Sequence, residues 1–109
     1  MQALADTIIK QLNDCEIGTE FVAFVADAEQ RSALTTALNG GVPTDSQMFL
    51  IANGSEQVNT VRILLTSQTP GSASTVFFVP DPCPESVQKN YVEPARGVAG
   101  IRFLRYTAN

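Results

Sequence analysis

Cys83 opens the one local pattern in this chain that nucleophilic chemistry could use. Cys83-Pro84-Glu85-Ser86 follows an apolar run at 76–79 and precedes a short helical pattern. A thiol in that position gains acidity from helix amides, and the thiolate is the reactive form. Its helpers are few, because the 109 residues contain no histidine. Histidine titrates nearest neutral pH and is the commonest metal ligand, so its absence excludes Ser-His-Asp and Cys-His activation and zinc sites of the Cys/His type. A general base would have to be a buried carboxylate, a buried lysine or a thiolate. The only lysines, Lys10 and Lys89, fall in amphipathic or loop segments open to water, and no two of the eleven acids stand out as a glycosidase-type pair.

The C-x-x-S pattern after a strand resembles the monothiol variant of the thioredoxin fold over about a dozen residues. That resemblance implies a small thiol-dependent redox enzyme with Cys83 as its nucleophile. The chain departs from the pattern twice. Pro94 and Gly97 interrupt the long amphipathic helix that should follow, and only about 20 residues remain where a βαβ half would have to lie. An incidental cysteine in a proline-rich loop is the simpler reading.

Other patterns have plainer explanations. Ser86-Val87-Gln88-Lys89 spells S-x-x-K, but enzymes that use it are much larger and carry further motifs. Asp14, Glu16 and Glu20 lack the spacing of a calcium loop and read as a solvated acidic turn. Gly40-Gly41 has no lysine to make it a phosphate loop. Arg102 and Arg105 alternate with Phe103 and Tyr106 as in an oligonucleotide-reading strand, yet the chain lacks the companion motifs. No catalytic residue, metal site or cofactor is therefore expected.

Composition points the same way. Hydrophobic residues make up 44% and charged residues 17%, enough to bury a core, and the length suits one domain over residues 1–109. A net charge of −4 gives no general attraction to phosphate backbones, so nucleic acid is not an expected partner. The charge is unevenly spread. Residues 1–56 carry Lys10 and Arg31 against eight acids, whereas residues 86–109 carry Lys89, Arg96, Arg102 and Arg105 against Glu93 alone. No apolar run approaches the roughly 18 residues of a membrane span, and the N-terminal segment lacks the pattern of a secretion signal. Two cysteines cannot make a disulfide framework, so reduced thiols and a cytoplasmic location are expected.

Residues 2–14 read as an amphipathic helix with Leu4, Ile8 and Leu12 on one stripe. Residues 20–26 are apolar on both faces, as in a central strand. Asp27 with Gln30 starts a second helix that Asn39-Gly40-Gly41 and Pro43 stop. Strands follow at 47–52 and 57–67 around an Asn53-Gly54 turn. A strand at 74–79 should pair back as a hairpin through Pro70-Gly71. The prolines at 80, 82 and 84 should interrupt the sheet, 85–90 can make one or two helical turns before Pro94, and 97–107 forms the last strand.

The expected fold is α+β: a mainly antiparallel sheet of about five strands with two helices on one face. Two helices cover one face only. Phe49, Ile51, Val58, Leu64, Phe77 and Val79 would then lack internal cover and form an interaction surface for a second copy of the chain. The function expected is a non-catalytic protein-interaction or assembly module of the adaptor, inhibitor or phage and mobile-element accessory type, acting as a homo-oligomer. The alternatives are the Cys83 thiol enzyme and a small-molecule-binding module at the open sheet face.

Overall fold

The structure, a computed structural model, describes residues 1–53, 58–66 and 74–107, with the backbone alone at 50–53 and 58. The first helix, α1 (Gln2–Asp14), buries Leu4, Ala5, Ile8 and Leu12, one stripe at helical spacing. Gly18 then takes a φ of 92°, a conformation that glycine adopts without steric cost, and turns the chain into β1 (Glu20–Val25). The α2 helix (Ala28–Asn39) begins as its sequence requires. The Asp27 carboxylate accepts from the Gln30 N–H at 2.8 Å, while the Gln30 side-chain oxygen accepts from the Ala26 N–H at 3.0 Å. Beyond α2, Gly40 keeps a right-handed helical conformation and is not a left-handed cap. Gly41 packs closely on α1, where a Cβ would lie 2.6 Å from Ile9 Cδ1 and oblige that side chain to shift.

The remaining strands are β2 (Ser46–Asn53), β3 (Val58–Leu65), β4 (Thr75–Asp81) and β5 (Ile101–Thr107), and the spatial order is β2-β3-β1-β4-β5. The β2–β3 pair is antiparallel, as the turn signal at Asn53 implies, although Gly54 and the Pro70-Gly71 turn lie outside the described residues. The expectation of a mainly antiparallel sheet is corrected. β1 pairs antiparallel with β3, but β4 runs parallel to both β1 and β5, so the sheet is mixed. The expected β3–β4 hairpin cannot form because β3 is flanked on both sides by β1 and β2, which leaves β4 the far side of β1.

Parallel neighbours need a crossover, and residues 85–95 supply it as a third helix, α3. Pro94 does not stop this helix where the sequence suggested. Its middle, Gln88–Val92, is wound as a π turn, with the Glu93 N–H reaching the Gln88 carbonyl. The wider turn relieves the clash that a proline ring makes with the preceding α-turn.

The prolines do not end β4 at Val79 either. Glu20 N–H bonds to the Ser74 carbonyl, and this parallel register brings the nitrogen of Pro80, which carries no hydrogen, opposite the Phe24 carbonyl. The hydroxyl of Tyr106, the β5 partner of Pro80, donates to that carbonyl instead. Burial pushes the Tyr106 phenol up to about 12. Tyr106→Phe should therefore cost about 1–3 kcal/mol in a urea titration, the range for a carbonyl left unsatisfied. Because the folded-state pKa lies above the unfolded one, this contribution is complete below about pH 10, the unfolded phenol value, and declines as the pH rises toward 12.

The sheet separates two cores. On its first face, α1 and α2 pack their apolar stripes against the strands: Ile8, Leu34 and Leu38 share one buried cluster with Phe21, Ile63 and Phe78. On the second face, Val22, Phe24 and Val79 are buried with Val87 of α3. The picture of helices on one face only is thus incomplete, since α3 covers part of the other. Among the described residues, no helix is long and apolar enough to cross a membrane.

Candidate functional site

The second face of the sheet carries the features that could engage another molecule. Strand alternation and register put Glu20, Val22 and Phe24 of β1 on this face, with Thr60, Arg62 and Leu64 of β3 and Thr75, Phe77 and Val79 of β4. Phe49 of β2 lies opposite Arg62, and Phe103 of β5 lies opposite Phe77. Over β1 and β4 the face is closed by α3, where the Tyr91 ring sits 4.8 Å from that of Phe24. Phe77 continues the aromatic contacts, 5.6 Å from Phe24 and 5.3 Å from Phe103. Toward β3 and β2 the cover thins.

Four of the six residues expected to form an interaction surface can be placed by side chain, and they differ. Phe49 is exposed, with 40% of its surface open, and Leu64 and Phe77 are half-buried. Val79 is 4% exposed, because α3 covers it; it belongs to the second core and is not available to a partner. Ile51 and Val58 stand in register opposite Thr60 and Asn53, and their side chains lie outside the described residues.

Two concavities flank α3. One, of about 300 Å3, has Glu20 and Arg62 among its lining residues together with Phe77, Tyr91 and Ile101. Arg62 meets Glu20 in a two-pronged ion pair, Nε to Oε2 at 2.5 Å and Nη2 to Oε1 at 2.9 Å. The hydrogen bonds that Arg62 donates to Glu20 raise the guanidinium pKa further above neutrality, so Arg62 stays charged and engaged. No local pattern announces this pair, since its members are 42 residues apart. The other concavity, of about 400 Å3, lies between α3 and the second face of β4 and β5, with Cys83, Arg96 and Arg105 among its lining residues.

The surroundings of Cys83 on balance oppose ionisation of its thiol. Burial pushes its thiol pKa up, Arg105 draws it down and Asp81 pushes it up again, with a net rise. Its sulfur lies 3.7 Å from the Pro84 carbonyl, an acceptor that favours the thiol form. Alkylation of Cys83 on a Cys15→Ser background should accordingly reach half its limiting rate above the ordinary cysteine value. A midpoint below about pH 7, the range of activated thiols, would overturn this assignment. Cys15 and Cys83 are both free and belong to the cores on opposite faces of the sheet.

The remaining sequence patterns do not assemble into sites. Lys89 lies 3.9 Å from Glu85 on the same helix. Arg102 and Tyr106 fall on the first face of β5, and Phe103 and Arg105 fall on the second, so they make no single nucleic-acid-reading strip. Glu20 is held by Arg62, and among the described residues no three acids or cysteines gather where a metal ion could be held. Comparison of the chain with protein-family models, with curated proteins and with solved structures finds no match.

Proposed function

We propose that this protein is a non-catalytic interaction module that assembles with a second copy of itself through the outer edge of β2. The observation that carries the reading is the contrast between the two sheet edges. Edge strands expose unpaired N–H and C=O groups, and proteins commonly blunt them with charge or proline. At the β5 edge, Arg102 and Arg105 do this. Along β2, eight residues, Ser46–Asn53, carry neither a charge nor a proline, and among the described residues the strand pairs only with β3.

Hydrogen bonds fix which groups of β2 face outward. The Leu65 N–H and C=O both bond toward β1, to Thr19 and Gly18, so by alternation Leu64 and Arg62 bond toward β2. Their partners Gln47 and Phe49 are thereby engaged with β3, which turns the backbone groups of Met48 and Leu50 outward. An antiparallel pair of β2 strands about a two-fold axis can set Met48 of one copy against Leu50 of the other with both bonds made. That register keeps the second faces of the two sheets on one side and puts the two Phe49 side chains next to each other. The partner is a second copy because an uncharged edge is complementary to itself in this arrangement. A cytoplasmic adaptor, inhibitor or mobile-element accessory protein is the setting that suits such a module. The thiol-enzyme alternative is disfavoured by the raised Cys83 pKa.

Phe49→Lys provides the test. Lysine blocks strand edges, and the substitution sets two ammonium groups against each other across the axis. The variant should keep its far-UV circular dichroism and sediment as a monomer. Retention of the parent's oligomeric mass would exclude the β2 edge as the contact.

A further inference from the structure

The concentration of positive charge near the C-terminus of an acidic chain finds no use in the assembly just described. Of its four cations, Lys89 lies near Glu85, and the Arg102 guanidinium lies 3.9 Å from the Cys15 sulfur on the first face. Arg96 and Arg105 are different. One comes from the end of α3 and the other from β5, and both line the 400 Å3 concavity. Both are exposed, and among the described residues neither makes an ion pair. Asp81 is the one acid among the described residues that lines the same space.

The concavity lies between α3 and the second face of β4 and β5, beside the loop that enters the crossover helix. Its walls combine two guanidinium groups with the apolar surfaces of Phe103 and Val92. Guanidinium forks match planar or tetrahedral oxyanions, and the apolar wall requires a ligand with a hydrophobic body. The sheet order sets β5 at the edge opposite β2, so this site is independent of the self-association proposed above.

We infer that this concavity binds a small organic anion, a carboxylate or phosphate group carried on an aromatic or apolar body, with Arg96 and Arg105 holding the oxyanion and Phe103 the body. Cys83 lines the same space and reports occupancy. On a Cys15→Ser background, its alkylation by iodoacetamide is followed with phenyl phosphate, benzoate or benzyl alcohol present. Each rate is divided by the rate of the same variant without additive, which cancels the influence of Arg105 on the thiol. Phenyl phosphate or benzoate should slow alkylation in a saturable way, and whichever does so at the lower concentration identifies the oxyanion preferred. Arg96→Gln and Arg105→Gln, both at exposed positions, should each weaken that protection at least tenfold. Equal protection by benzyl alcohol, protection unchanged in the double arginine variant, or no protection by either anion would overturn the proposal. Because the readout does not depend on mass, its failure would leave the assembly reading standing, and the reverse also holds.

Discussion

Val79→Glu is expected to destabilise the protein by more than about 3 kcal/mol at neutral pH, the range of substitutions that bury an unpaired charge. Val79 is 4% exposed between β4 and α3, with Val87 and Phe24 in the same buried cluster. A carboxylate there loses hydration, while Arg96 and Arg105, which line the concavity that Val79 also lines, are exposed to water and offset little of that cost, so its pKa rises in the folded state. The sign of the pH dependence follows. A folded-state pKa above the unfolded value of about 4.3 means that the ionisation penalty is present above that value and disappears as the pH falls below it. Urea titrations should therefore show the deficit against the parent protein shrinking between neutral and about pH 4, leaving the packing loss. A deficit under about 1 kcal/mol, with dissociation of an oligomer, would mean that position 79 faces a second copy and that α3 does not cover it.

Phe24→Ala should cost about 3–5 kcal/mol, the range for truncating a buried phenylalanine. The ring is 1% exposed and joins the sheet to α3 through Tyr91 at 4.8 Å while touching Phe77 at 5.6 Å. The effect should also be local in origin. Amide exchange at 85–95 should accelerate more than exchange in α1 or α2, because those helices pack on the opposite face. Uniform acceleration would show that the crossover is held by something other than this aromatic contact.

Much of the architecture is legible in the sequence because its causes are local. The stripe of Leu4, Ile8 and Leu12 specifies α1, and Asp27 with Gln30 specifies the start of α2. Alternation also carries through. Phe49, Leu64, Phe77 and Val79 do fall on one face of the sheet, as the period of two requires. What a strand pairs with is not a local property. The apolar run at 76–79 marks a buried strand but does not say whether β3 or β1 receives it, and chain proximity favours the wrong one. Nor does alternation separate Phe49, at an edge, from Val79, beneath a helix. The prolines at 84 and 94 disguised α3, whose π turn accommodates the second of them. The Val87 and Tyr91 spacing of one helical turn was the signal that remained. The Glu20–Arg62 pair and the placing of Arg96 and Arg105 on one concavity depend on tertiary structure and leave no mark on the sequence.

Self-association through β2 is the claim on which the functional account rests, and the mass of the unmodified chain in solution tests it most directly. Sedimentation equilibrium over a wide range of concentration should give twice the chain mass of 11.7 kDa, falling toward one chain only at the dilute end. A mass of 11.7 kDa at every concentration would contradict the account, since the uncharged edge of β2 would then stay unpaired in solution.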